Sequence, residues 1–293
     1  MLKVELHTHT VDDPVDNIPH STADLIDRAA ALGFDALAIT LHDHQLDLRR
    51  WHAYASERGV VLIPGIERTI EGRHVLLLNF DKGTESVRTF DDLAALKRRA
   101  SGLVVAPHPF FPSRTCLWRD LDRYAHLFDA VERNAMFTRA VDFNRRAERW
   151  ATRHGKPMVG NGDVHRLTQL GTTYSLVDAE PDPAAICGAI AAGRVQVVSQ
   201  PLSWSTCIPL LASLFVVRRR AGADLASVDP GARHGDSCSA PAHVGHSDLV
   251  GAGDGADCGD VARGRRHRMD AAYSRAGVHR NFRSDAVASG IDA

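Results

Sequence analysis

The segment Val4-Glu5-Leu6-His7-Thr8-His9 begins the pattern that decides the fold. Its apolar start predicts a strand over residues 4–8. Ser21-Thr22-Ala23-Asp24 then matches a capping box, and the helix that it starts has apolar residues at helical spacing and ends at Gly33. The run Phe34-Asp35-Ala36-Leu37-Ala38-Ile39-Thr40 predicts a second strand. A strand, a helix and a strand in this order are typical of an α/β fold.

The same alternation continues to about residue 200. Further strands are predicted at residues 60–66, 74–80, 103–106, 130–132, 157–160 and 174–177, and helices at about 45–58, 87–100, 140–154 and 182–192. The strand-like runs are continuously apolar, which indicates strands that are covered on both faces. We therefore expect a parallel sheet covered by helices, either an α/β barrel or a doubly wound sheet.

Composition limits the class of protein. The chain has 293 residues, of which 44% are hydrophobic, and a formal net charge of -1, so that no electrostatic signal for nucleic acid or an anionic membrane is present. Its five cysteines lack C-x-x-C spacing, which argues against a disulfide scaffold and favours a reducing compartment. The polar start predicts no signal peptide, and the longest apolar run, residues 207–217, is about half the length of a membrane helix. We expect a cytoplasmic protein without a membrane partner.

The composition changes beyond about residue 205. Residues 221–293 contain no lysine, glutamate or tryptophan, and aspartate, arginine, glycine, alanine and serine dominate. This predicts one domain over residues 1–205 and an irregular or disordered tail over residues 206–293. A second hypothesis is that a GC-rich gene is read out of frame beyond this point, which sequencing of the locus would decide. We therefore expect no functional role for the histidines of the tail.

Polar residues stand where the predicted strands end. His7 and His9 are two residues apart in an extended segment, so their imidazoles share one face and can bind one metal ion. Asp163-Val164-His165 repeats this spacing after another apolar run. The second, third and fifth strands end in His42, Glu67 and His108. Because the carboxyl ends of parallel strands meet at one edge, these side chains are expected to converge on a metal site.

The remaining candidates have weaker positions. His74 begins the fourth strand rather than ending it. Glu132 ends a strand and is predicted either to contact the metal ligands from behind or to be structural. Polar helical or loop segments, which are predicted to lie at the surface, contain His52, His126 and His154.

In order and spacing, the motifs resemble those of the polymerase and histidinol phosphatase (PHP) domain family. They are His7-x-His9, Thr40-x-His42, Gly65-Ile66-Glu67, His108-Pro109 and Gly162-Asp163-Val164-His165. The resemblance covers about residues 1–200, including the closing segment 193–198. It implies a distorted seven-stranded β/α barrel that carries two or three divalent metal ions, usually zinc, manganese or iron, and hydrolyses phosphoesters.

Nine metal ligands follow from the resemblance, namely His7, His9, Asp13, His42, Glu67, His74, His108, Asp163 and His165. One metal would be bound by His7, His9, Glu67 and Asp163. Glu67 would bridge to a second metal, which His74 and His108 would also hold. A third would be held by His42, His165 and Asp13.

The acidic ligand after the first motif has competitors. Asp12 and His20 compete with Asp13, because residues 11–19 depart from the usual short loop of the family. This part of the ligand set stays open at the level of sequence.

The second motif also departs from the family, which commonly has Thr-Asp-His where this chain has Thr40-Leu41-His42. Counting from the strand favours His42 as the ligand, whereas a slipped loop would present Asp43 and His44 instead. Losing the aspartate removes a carboxylate that would orient the imidazole of His42.

The expected mechanism needs no serine or cysteine nucleophile. Clustered metals lower the pKa of a bridging water to near neutrality, so that a metal-bridged hydroxide attacks, and they neutralise charge on the phosphoryl oxygens. Asp163 is the expected catalytic carboxylate, and His42 or His165 is expected to protonate the leaving oxygen. Arg68 and Arg166 adjoin two ligands and are candidates for binding substrate phosphate, against the alternative of surface positions.

The expected partner is a small phosphorylated substrate or nucleotide, because neutral overall charge disfavours long nucleic acid. Residues 11–19, 110–118 and 166–173 are predicted to form the specificity loops, and they carry no motif that identifies a substrate. Nothing in the sequence predicts the oligomeric state.

Two other functions compete with a phosphoesterase. Amidohydrolases also begin with H-x-H on a first barrel strand, but they typically add two single histidines and a lone aspartate. Asp163-Val164-His165 and His108-Pro109 fit that pattern less well. The other alternative is a catalytically inactive PHP module that binds metal.

Overall fold

Nine strands form one sheet in the computed structural model, which describes residues 1–81 and 83–212. All of these residues belong to one unit, Met1–Arg233. The strands are β1 Leu2–Glu5, β2 Ala36–Ile39, β3 Val61–Ile70, β4 Arg73–Leu78, β5 Leu103–Ala106, β6 Ala130–Asn134, β7 Met158–Asn161, β8 Thr173–Val177 and β9 Val195–Ser199. Most of the predicted tail over residues 206–293 lies outside the described residues.

Six helices connect the strands: α1 Thr22–Ala31, α2 His52–Ser56, α3 Phe90–Arg99, α4 Arg119–Arg123, α5 Asn144–His154 and α6 Pro183–Ala191. Short 3-10 turns occupy Leu48–Arg50 and Ala125–Leu127, and residues 204–212 are helical after β9. Within the described part of the chain, no helix is long and apolar enough to cross a membrane.

The order of the strands is β7-β6-β5-β4-β3-β2-β1-β8-β9, and β7 also packs beside β8 and β9, so that the sheet nearly closes into a barrel. At this closure the Ser175 hydroxyl accepts a hydrogen bond from the Gly160 amide at 2.9 Å and donates one to the Gly160 carbonyl at 3.1 Å. The predicted α/β class is confirmed, and the predicted count of seven strands is wrong.

A wholly parallel sheet was also a wrong expectation. The pairs β1–β8, β3–β4, β4–β5 and β8–β9 are antiparallel, whereas the other four pairs are parallel. The physical reason is clearest at Glu71-Gly72, where both residues have positive φ, at 49° and 78°. Such a two-residue turn joins adjacent antiparallel strands directly, and it therefore turns β3 back into β4.

Alternate residues of the strands pack on opposite sides of the sheet, as the two-residue period of a strand requires. On one side, Val4, Ala36 and Val105 pack with Ile186 and Ile190 of α6, which form one buried cluster. On the other side the strands pack against the remaining helices, as in the cluster that joins β2 to α1 and α2. The sheet is therefore covered on both sides.

The predicted capping box is confirmed. Ser21 Oγ accepts from the Asp24 amide at 3.1 Å, and the Asp24 carboxylate accepts from the Ser21 amide at 2.9 Å. The single helix predicted over residues 45–58 is instead a 3-10 turn followed by the five-residue α2. The Asp47 carboxylate accepts from the Arg49 amide and so caps the 3-10 turn separately.

Candidate metal centre

The Glu67 carboxylate lies at the centre of a ring of histidines. It stands on β3 and is 1% exposed. Its Oε2 atom faces three imidazole nitrogens: His7 Nε2 at 3.1 Å, His42 Nε2 at 3.2 Å and His9 Nε2 at 3.4 Å. Its Oε1 atom faces two more: His74 Nδ1 at 2.7 Å and His108 Nε2 at 3.2 Å. The two oxygens of one carboxylate thus face two separate sets of ligands.

The motifs His7-Thr8-His9 and Asp163-Val164-His165 lie side by side. The first strand ends at Glu5 rather than at residue 8, but Thr8 still forms a parallel bridge with Val164. The His9 amide donates to the Val164 carbonyl, and the Val164 amide donates to the His7 carbonyl, both at 3.1 Å. This pairing brings Asp163 Oδ1 to 3.4 Å from His7 Nε2 and to 3.6 Å from His9 Nε2.

A third group of ligands lies on the far side of His9. Asp13 Oδ2 is 2.9 Å from His9 Nδ1 and 3.0 Å from His42 Nδ1. His165 Nδ1 is 3.3 Å from Asp163 Oδ1, and His165 Nε2 is 3.0 Å from Asp16 Oδ2. The structure thus brings Asp13 and His42 beside His9, and His165 beside Asp163.

His74 joins the cluster because β4 is antiparallel to β3. Thr69 pairs with His74 in the register of this hairpin, so that the start of β4 lies beside the residues that follow Glu67. In a parallel sheet the start of a strand would lie at the opposite edge from the ligands. All nine ligand residues expected from the family resemblance lie in this cluster, which we call the ligand cluster.

Neither competitor of Asp13 lies in the ligand cluster. The Asp12 carboxylate accepts from the Thr22 hydroxyl at 3.0 Å and lies 3.8 Å from Arg50. His20 Nε2 lies 2.9 Å from the His9 carbonyl oxygen and therefore contacts the backbone of a ligand.

The register after β2 brings His42 inward. His44 is half exposed and lies 3.0 Å from Glu85, while the Asp43 carboxylate accepts from the Thr69 amide at 2.7 Å. Asp43 has a φ of 53°, a left-handed conformation that reverses the chain immediately after His42.

The structure does not bring Arg68 or Arg166 to the ligand cluster as phosphate-binding groups. The Arg68 guanidinium is buried, donates to the Val87 carbonyl at 2.7 Å and pairs with Asp43. Arg166 contributes its backbone amide to the Gln169 side chain at 2.8 Å. Neither side chain lines the cavity described below. His52 and His126 are exposed, and His154 stacks on Trp150 away from the ligands.

Charge in the cluster is mutually compensated. Burial lowers the pKa of His7, but the carboxylates of Asp163, Glu67 and Glu132 outweigh burial and hold this pKa well above its usual range. Burial likewise lowers the pKa of His9, but its hydrogen bond to Asp13 and the nearby carboxylates of Asp163 and Glu67 raise this pKa to about 10. Burial raises the pKa of Glu67, but the surrounding imidazoles hold it well below its usual range. A divalent cation would therefore compete with protons for the nitrogens of His7 and His9.

The donor set fits divalent metal ions. His9 Nε2 is buried without a hydrogen-bond partner, although two carboxylates face it. Five groups of three residues each offer ligand atoms that lie within 4.8 Å of one another inside the group. Imidazole and carboxylate ligands together suit zinc, manganese or iron. Two ligands, His108 and Asp163, have positive φ, at 28° and 48°, a strained conformation that concentrates at functional sites.

Several residues that support the ligands were not singled out by sequence. The Glu5 carboxylate is fully buried and accepts from the amides of Leu6, His7 and Gly162 at 2.9–3.1 Å. Burial raises the pKa of Glu5 to about 8, more than these amides lower it. The sequence does contain an indication that Glu5 is unusual, because this charged residue stands between the apolar Val4 and Leu6 of a predicted strand.

A cavity of about 460 Å³ opens beside the ligand cluster. Its floor includes His42, His74, His108, Asp163 and His165. Each predicted specificity loop contributes to it, through Asp16, Phe111 and Gln169 among others. Two further segments, residues 134–143 and 204–212, also line it and were not predicted.

Comparisons with known proteins agree with this architecture. The PHP-associated family model matches residues 142–195, which include Asp163 and His165. A two-domain protein from Bacteroides vulgatus, described as containing a predicted PHP-like metal-dependent phosphoesterase, has the same fold at 17% identity, with a TM-score of 0.53 over 73% of this chain and 69% of that one. PsfC from Pseudomonas syringae matches at 18% identity, with a TM-score of 0.51 over 75% and 98% of the two chains.

No curated protein sequence matches the chain. At these identities the solved structures establish the fold alone. The family match is to the PHP-associated model over residues 142–195, and the fold of the described chain is shared with these two structures.

Proposed function

We propose that the chain is a metal-dependent hydrolase that cleaves phosphate esters on a cluster of two or three divalent ions. The observation that carries the proposal is Glu67, whose two carboxylate oxygens face different imidazoles within 3.4 Å. A carboxylate in this position would bridge two ions, the arrangement that clamps both the attacking and the leaving oxygen of a phosphoester.

The ligands divide into three groups. His7 and His9 with Glu67 and Asp163 would hold one ion, and Glu67 with His74 and His108 a second. On the family pattern, Asp13, His42 and His165 would hold a third. Asp13 lies 3.0 Å from His42, and His165 lies 3.3 Å from Asp163. When bound, the ions would lower the pKa of water and neutralise charge that develops on the phosphoryl oxygens.

The protein's own groups orient the reaction and supply a proton. Water attacks phosphorus and releases one proton to solvent, the bond from phosphorus to the ester oxygen breaks, and the leaving oxygen takes a proton, so that the alcohol and phosphate are the products. His165 Nε2 is the proposed donor, because it lines the cavity and lies 3.0 Å from Asp16. Burial and His9 lower the pKa of His165, but the carboxylates of Asp163 and Asp16 outweigh both and raise it in the metal-free protein.

A substrate screen with metal-loaded full-length chain tests this function. We expect hydrolysis of 4-nitrophenyl phosphate in the presence of manganese or zinc, and loss of turnover by orders of magnitude in Asp163→Ala. Asp178→Ala changes an exposed aspartate away from the cavity and serves as the matched control.

The outcome separates three classes of function. Preferential hydrolysis of cyclic amides such as dihydrouracil would contradict the proposal in favour of amidohydrolase chemistry. Full metal loading with no hydrolysis of any phosphoester or amide would contradict it in favour of a metal-binding module. Equal phosphoesterase activity in Asp163→Ala and the wild type would reject this site.

A further inference from the structure

An aromatic wall leads from the ligand cluster to the mouth of the cavity. The ring of His108 contacts the ring of Phe111 edge-on at a centroid distance of 6.3 Å. Phe111 in turn contacts Phe143 at 5.4 Å. Because His108 is a ligand and Phe143 is partly exposed, the wall is continuous from the reacting centre to solvent. A substrate bound to the ions would therefore extend along apolar side chains.

Exposed apolar side chains concentrate at this mouth. Among the described residues, eight large apolar side chains are exposed, and four of them line the cavity, namely Val141, Phe143, Trp204 and Leu211. Trp204 and Leu211 belong to the 204–212 helix, whose buried Cys207 packs near Met136. A clustered apolar surface at a site's entrance is typical of ligand binding, whereas single exposed apolar residues are unremarkable.

Neutral polar side chains in the cavity are committed to partners within the protein. The hydroxyls of Ser113 and Thr115 lie 2.9 Å from each other. Asn134 Nδ2 donates to Glu132 and Asp163, both at 3.2 Å. Gln169 accepts from the amides of His165 and Arg166 and donates to the Asp163 carbonyl. The hydroxyls of a sugar would therefore compete with hydrogen bonds that these side chains already make.

The charged side chains of the cavity also limit which ligands fit. No lysine or arginine of the described residues lines it, and its charged groups are carboxylates and the histidines that face them. A second phosphate or a carboxylate on the substrate would find no cationic side chain here. The cavity therefore fits a ligand whose only anionic group is the one that reacts on the ions.

We infer that the substrate is a phosphate monoester of a mainly apolar alcohol, whose organic group packs against Phe111, Phe143 and Trp204. This inference rests on the proposed function and specifies its substrate class. A nucleotide carries an aromatic base as well, but its ribose hydroxyls would compete with the hydrogen bonds already formed by the polar side chains of this cavity.

The test compares esters of primary alcohols, so that the leaving oxygens are of similar basicity. The probes are ethyl phosphate, 2-phenylethyl phosphate and adenosine 5′-monophosphate, assayed by phosphate release with the metal-loaded full chain. We expect kcat/KM for 2-phenylethyl phosphate to exceed both others by about tenfold or more, because each buried methylene equivalent contributes a few-fold.

Variants of the wall identify the binding site. Trp204→Ala and Phe143→Ala should each raise KM for 2-phenylethyl phosphate about fivefold, the size of effect expected for lost apolar contact. KM for ethyl phosphate should not change. Ile208→Ala is the matched control, because Ile208 lies on the same helix, is 60% exposed and does not line the cavity. This variant should change KM for neither ester.

Failure of the inference differs from failure of the function. If the esters are hydrolysed with equal kcat/KM, or the nucleotide is preferred, the inference is overturned while the phosphoesterase remains. If no ester is hydrolysed, the proposed function fails, and calorimetric binding of 2-phenylethylphosphonate and ethylphosphonate decides the inference. Tighter binding of the phenyl compound that Trp204→Ala abolishes would support it, and equal binding would overturn it.

Discussion

His7 lies between two carboxylates, with Nε2 at 3.1 Å from Glu67 and Nδ1 at 3.2 Å from Glu132. Glu132 is fully buried on β6, and it also accepts from the His108 amide at 2.9 Å. A carboxylate behind a ligating imidazole fixes both its tautomer and its orientation. Glu132 therefore positions two residues of the ligand cluster, His7 through its ring and His108 through its backbone amide.

We expect Glu132→Gln to weaken metal binding, because an amide cannot accept as strongly from the His7 ring. Loss of such a partner typically lowers affinity by about ten- to a hundredfold. The measurement is competition for zinc with a chromophoric chelator. Glu57→Gln, an exposed surface change, is the control and should retain wild-type affinity. An unchanged affinity in Glu132→Gln would remove this role.

Metal affinity should rise with pH. Because the pKa values of His7, His9 and His108 are raised in the metal-free protein, binding has to displace protons from these rings. Each proton displaced strengthens the apparent affinity about tenfold per pH unit below the pKa. Zinc competition titrations at pH 6, 7 and 8 measure this slope. Affinity that is independent of pH would show that the rings are already deprotonated.

Glu5 should make the metal-free protein less stable as pH rises. Its folded-state pKa is about 8, raised above the ordinary value of 4.5 mainly by burial. Between these values the folded chain keeps a proton that the unfolded chain has released, so the free energy of unfolding falls with rising pH. Glu5→Gln has no such proton.

The comparison uses urea denaturation of chelator-treated wild type and Glu5→Gln from pH 5 to pH 8. The wild type should lose stability relative to the variant across this range. Parallel curves for the two proteins would contradict the assignment, and Glu57→Gln controls for loss of a surface charge.

Two glycines should respond to alanine with opposite signs. A Cβ at Gly160 would lie 2.7 Å from the Tyr174 carbonyl oxygen and 2.8 Å from Val197, where the barrel closes. We expect Gly160→Ala to cost about 1–3 kcal/mol of stability through overpacking. Gly188 lies within α6 and has no atom within 4 Å of its added Cβ, so Gly188→Ala should stabilise by about 0.5–1 kcal/mol. Chemical denaturation measures both, and equal effects would contradict the closure at Gly160.

Local patterns account for what could be predicted from the sequence. The capping box at Ser21 and the alternation of strands and helices are local, and His7-Thr8-His9 carries its spacing within three residues. The position of His74 depends on a long-range fact, the reversal of the chain at Glu71-Gly72, which also explains the wrong expectation of a parallel sheet.

The cavity could not be predicted for the same reason. Phe143 and Trp204 are far apart in sequence, and both line the cavity in a fold where the 204–212 helix packs near Met136. Asp16 could not be singled out from the sequence, because Asp12 and Asp13 occupy the same loop. Spacing alone does not tell which of these carboxylates turns inward. Three-dimensional packing decides such choices.

The central claim is that the ligand cluster binds more than one divalent ion. Equilibrium dialysis of the full chain against manganese or zinc, followed by elemental analysis, measures the number of ions per chain. We expect two or three equivalents, falling by at least one in Glu67→Ala, because Glu67 faces both sets of imidazoles. One equivalent or fewer in the wild type would contradict it.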